Sequence, residues 1–82
     1  MNLKLYDRVA LKIAIPEHAL RAGDVATLVD FLNHPSGGPI GCVLEIFNAL
    51  GESIAVVTVP ENAVEMLRAD EVLTVRPLAI AG

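Results

Sequence analysis

The chain has 82 residues, room for one domain and not for two. Hydrophobic residues make up 54% of it, which excludes disorder, yet aromatics make up only 4% (Tyr6, Phe31 and Phe47), so the core must be aliphatic. A net charge of −4 works against general affinity for a phosphate backbone, and a single cysteine, Cys42, excludes an intramolecular disulfide.

A chain of this size buries about 60% of the surface it exposes when unfolded, enough to fold alone but with little margin. No apolar run reaches the roughly 20 residues that a membrane helix needs. The N-terminal stretch carries charge from Lys4 onward and lacks a signal-peptide core. The expectation is a soluble cytoplasmic protein.

Pro16, Gly23, the 33–39 stretch, Gly51 and Pro60 cut the chain into short pieces rich in β-branched residues, the pattern of a small all-β domain. The piece from Arg8 to Ile15 alternates. Val9, Leu11, Ile13 and Ile15 share one face, Ala10, Lys12 and Ala14 the other, and Pro16 should end it. Glu17 to Asp24 is a connector, briefly helical at most, with a turn at Gly23-Asp24. Val25 to Leu32 is the second strand. Its alternation fails midway, which calls for a bulge that switches the inward parity.

Asn33 to Gly41, with its prolines and glycines, reads as a surface loop. Cys42–Phe47 and Ile54–Val59 are the strongest strands, joined by a hairpin with Gly51 as its left-handed residue. The second of these is apolar on both faces, so it is either covered twice or part of an interface. Pro60 to Arg68 suits one or two helical turns, Glu71 to Arg76 a last strand, and an irregular tail begins at about residue 77. The sum is a single domain over residues 1–82, a five-stranded SH3-like barrel with a short helical turn before the last strand.

Leu5-Tyr6-Asp7-Arg8-Val9-Ala10-Leu11, Ile15-Pro16-Glu17-His18, the run from Leu20 to Val29, and Gly51 to Val59 together resemble domain-of-unknown-function family 4926. The resemblance implies a small bacterial domain and carries no assigned activity. The Gly23–Leu28 segment also resembles the turn and strand of KOW-type barrels, but has Ala26 where those carry a second glycine.

Candidate chemistry is sparse. His18 and His34 lack the further ligands at fixed spacing that a metal site needs. Cys42 has the parity of a core residue, and as a nucleophile it would need His34 as its base. Asp70-Glu71 is an adjacent pair and Asp7, Asp24 and Asp30 are near strand ends; such charges read as caps of strand edges that discourage edge-to-edge aggregation. Ser36 lies outside a nucleophile elbow, and Gly37-Gly38 lacks the lysine of a phosphate loop. No catalytic residue, metal or cofactor is therefore expected.

A polyproline groove would need more aromatics than the chain has. The expectation is a non-enzymatic protein-interaction module, an accessory subunit or antitoxin-like partner, which binds another protein or a second copy through Val43, Phe47, Val57 and Val59. The alternative is a KOW-like nucleic-acid or ribosome-associated domain using Lys4, Arg8, Lys12 and Arg21.

Overall fold

The computed structural model describes residues 3–34 and 36–78. Five strands, β1 (Arg8–Leu11), β2 (Val25–Leu32), β3 (Gly41–Phe47), β4 (Ser53–Pro60) and β5 (Val64–Met66), form one antiparallel sheet in the order β4-β3-β2-β1-β5. Two 3-10 turns, Pro16–His18 and Glu61–Ala63, complete the regular structure. The domain is all-β with a helical turn before its last strand, as its composition requires. No helix among the described residues is long and apolar enough to cross a membrane.

The connection from β4 to β5 dictates the shape. These two strands are at opposite edges of the sheet, four inter-strand spacings of about 4.8 Å apart if it were flat. Only Glu61–Ala63 joins them, and a 3-10 turn advances about 2 Å per residue. The sheet must therefore curl so that its edges meet at Pro60. Alternating antiparallel pairings make β4 and β5 run in the same direction. They follow one another end to end, so neither pairs with the other and the barrel stays open.

Inside the curl, Leu28, Leu44 and Val57 form one cross-strand row and Phe31, Cys42 and Val59 the next. Val9, Leu11, Leu28, Cys42, Leu44 and Val64 are fully buried, and Phe31 packs against this cluster from its margin. The core is aliphatic, as the low aromatic content demands. The bulge anticipated in β2 is at Val29: Leu28 faces Leu44 and Asp30 faces Val43, leaving Val29 as the extra residue. Inward parity passes from Ala26 and Leu28 to Phe31. A second bulge is at Ile54 of β4. The β3–β4 hairpin has Gly51 at φ 83°, and Asn48 organises it by accepting the Leu50 and Glu52 amides at 3.0 and 2.9 Å.

Three expected elements differ. The first strand ends at Leu11 rather than Ile15. The Leu11 carbonyl accepts the Gly23 amide and the Lys12 amide turns to Ala63, which closes the pairing. Ile13 leaves the sheet 43% exposed, and Ile15 pairs with Leu20 across the first 3-10 turn. The helical turn after Pro60 is only three residues long, because Val64 and Met66 are drawn into β5 against Leu11 and Val9.

Glu71–Arg76 is not a strand: β1 already has neighbours on both sides, and Val72 and Val75 remain 84% and 89% exposed. Irregular backbone thus begins at Leu67, not at about residue 77; Ala79 to Gly82 of that tail lie outside the described residues. Replacing Leu44 by Ala should cost about 3 kcal/mol in urea unfolding, whereas Val72→Ala should change stability by no more than about 0.5 kcal/mol.

Candidate interaction surface

The residues singled out for chemistry mostly hold the backbone together. Asp7 accepts the Lys4 amide at 3.0 Å, Asp30 the Phe31 amide at 2.8 Å and Glu71 the Arg68 amide at 2.6 Å, while Asp70 pairs with the Arg68 side chain. Asp7 and Glu71 close local turns and Asp30 bonds within β2 beside its bulge, and no two of these carboxylates share a partner among the described residues. The His34 ring lies against Gly38 and its Nδ1 accepts the Ser36 amide at 3.2 Å, which organises the 33–40 loop. His18 is exposed on the first 3-10 turn. No group of potential metal ligands occurs among the described residues.

Cys42 is fully buried between Phe31 and Val59, and no polar side chain is buried with it among the described residues. Burial raises its thiol pKa, and the nearby Glu61 charge adds to the rise. It is a core residue.

Among the described residues, Asp24 makes the one ion pair between positions distant in sequence. Arg76 donates from Nε to Asp24 Oδ1 at 2.9 Å and from Nη2 to Asp24 Oδ2, and Nη2 also reaches the Ala19 carbonyl at 3.1 Å. Ala19 is in the left-handed region at φ 57°, which turns its carbonyl outward to this cation. The fork fastens the irregular segment after β5 to the turn before β2. Hydrogen bonding from Arg76, joined by the Arg21 amide, outweighs burial and holds the Asp24 carboxyl below its ordinary range.

The residues expected to form an interaction face do not lie together. Val57 and Val59 point into the core at 8% and 6% exposure. Val43 and Phe47 lie on the outer face, where their cross-strand partners on β4 are Thr58 and Ser53. The outward side chains of β4 are instead Ile54, Val56 and Thr58, with Val56 57% exposed. A two-faced apolar strand gives no parity signal for choosing between the sets. The register with β3, whose inward residues are Cys42, Leu44 and Ile46, decides it.

Beside the free edge of β4 runs a groove of about 500 Å³. One wall is residues 56–60 of β4, contributed from both faces, so the groove follows the backbone edge itself. The other wall is the 13–18 connector, which includes Ile13, Glu17 and His18. A smaller hollow of about 480 Å³ lies between Leu3, Lys4, Asp7 and Met66. The bases expected to form a nucleic-acid patch are strung along and beyond β1. Arg8 and Lys12 are about 14 Å apart along the extended chain, and Asp7 and Asp24 are interleaved with them.

The family model for a domain of unknown function, DUF4926, matches residues 5–66. The chain belongs to that family. The match ends where β5 ends, so the family domain is the sheet with its two 3-10 turns, and the segment fastened by Arg76 lies beyond it. No curated protein and no solved structure matches the chain.

Two outcomes follow from these side chains. The depressed pKa of Asp24 makes its pairing stabilising above the ordinary carboxylate pKa, and that contribution disappears as pH falls through the lower, folded-state value. In Arg76→Met, the Asp24 carboxyl carbon followed by NMR should titrate at higher pH than in the parent chain. Cys42 should react with a disulfide reagent only as fast as the domain unfolds, and at once in denaturant; rapid labelling of the folded chain would contradict its burial.

Proposed function

We propose that this domain is a non-enzymatic interaction module, an accessory or antitoxin-like subunit, that takes a protein partner by strand addition at the β4 edge. The observation that carries this reading is the edge itself. β4 is eight residues long, Ser-Ile-Ala-Val-Val-Thr-Val-Pro, without a single charge, and its outer side is bordered by a groove rather than by another strand. An unguarded edge of this kind is a pairing template, and proteins ordinarily blunt one with a lysine, a bulge or a cover. Here Pro60 interrupts it only at its last residue, and the bulge at Ile54 lies near its start. The stretch between remains available for backbone pairing, with Val56 and Thr58 presented beside it.

The alternative of a nucleic-acid domain draws on Lys4, Arg8, Lys12 and Arg21, which are all exposed. Their interleaving with Asp7 and Asp24 weakens the field that such a surface needs.

With the chain as bait, a partner captured from cells should be lost with Val56→Lys, which adds a charge at the edge and costs about 1 kcal/mol or less of stability. A partner retained equally by both would remove β4 from the proposal. Mixed RNA bound with an affinity that falls steeply with salt would favour the nucleic-acid reading instead.

A further inference from the structure

The chain has no lysine or arginine between Arg21 and Arg68. Every charged residue in that interval is an acid: Asp24, Asp30, Glu45, Glu52, Glu61 and Glu65. The whole of β2, β3 and β4 falls inside it. Around the uncharged β4 edge the acids occupy both ends. Glu52 immediately precedes Ser53, with its side chain held to the hairpin by Asn48 Nδ2 at 2.8 Å. Glu61 immediately follows Pro60, its amide bonded to the Ile40 carbonyl at 3.0 Å, and Glu17 is part of the far wall of the groove. The edge is therefore an apolar strip with a negative charge at each end.

This pattern discriminates between occupants. If a second copy added its own β4 in antiparallel sense, Glu52 of each chain would meet Glu61 of the other. Both ends of the pairing would then place like charges together, on molecules already at −4. A strand with an apolar middle and lysine or arginine at both ends meets the opposite sign at each.

We infer that the β4 edge receives an extended segment of a basic partner protein, with apolar side chains alternating along the groove and cationic residues at its two ends, one against Glu52 and the other against Glu61. The inference rests on the strand-addition reading above and adds the chemistry of the partner.

The test uses two synthetic peptides with the same alternating valine–threonine middle, one with two lysines at each end and the other with two glutamates. Each is titrated into the isotope-labelled chain while backbone amides are followed, and the mass of the free chain is measured by light scattering. The lysine-flanked peptide should shift the amides of residues 53–60 and bind at least about fivefold tighter at low salt, a preference that shrinks toward unity near 0.5 M salt. The triple variant Glu17→Gln, Glu52→Gln, Glu61→Gln, whose changes are all at exposed or half-exposed positions, should abolish the preference while leaving the fold intact. Equal binding of both peptides at β4 would overturn the basic partner and leave strand addition standing. No response of the β4 amides to either peptide would overturn both. A dimer of the free chain whose β4 amides are protected from exchange would replace the basic partner with a second copy.

Discussion

The structure depends on the three residues between β4 and β5. Glu61–Ala63 must carry the chain from one edge of a five-stranded sheet to the other, and so short a connection is satisfied only if the sheet curls. Curling creates the core, because it gathers the inward side chains of both edge strands, Val57 and Val59 of β4 and Val64 of β5, into one buried cluster with Leu28 and Leu44. The same connection keeps the barrel from closing. Two strands that run in the same direction, end to end, cannot lie side by side, so β4 keeps a free edge. Stability and the open edge thus have one geometric origin.

The polar residues serve this arrangement. In a domain with so small an aliphatic core, loops and turns must be held by local hydrogen bonds, and several acids do that work. Asp7, Asp30 and Glu71 each accept an amide close to them in sequence. Asp24 differs in reaching across the chain to Arg76, which fastens the segment after β5 to the turn before β2. His34 and Cys42, the pair that a nucleophilic reading would join, are separated by role: one shapes an exposed loop and the other fills the core. The proposed function therefore rests on the edge of the sheet and the charge around it.

Charge distribution tells more here than net charge does. An acidic chain with four of its bases before residue 22 has an acid-only middle, and β4 with its free edge lies within it. The run without a base from residue 22 to 67 was visible in the sequence. It acquired meaning only once the strand order put Glu52 and Glu61 at the ends of one uncharged edge.

Composition and local pattern determined the all-β class, the aliphatic core, the limits of β2, the bulge within it and the hairpin at Gly51, because each follows from side-chain alternation or from backbone freedom over a few residues. Tertiary structure alone decided which edge of β1 the last strand takes. Val64–Met66 and Glu71–Arg76 both have strand-like side chains, but only the first is within reach of β1 after a three-residue turn. It also decided which face of β4 is buried. Ile-Ala-Val-Val-Thr-Val has no polar alternation, so its inward set depends on the register it keeps with β3. That register turned Val57 and Val59 into core and left Ile54, Val56 and Thr58 outside, because the inward residues of a paired strand must face the inward residues of its neighbour.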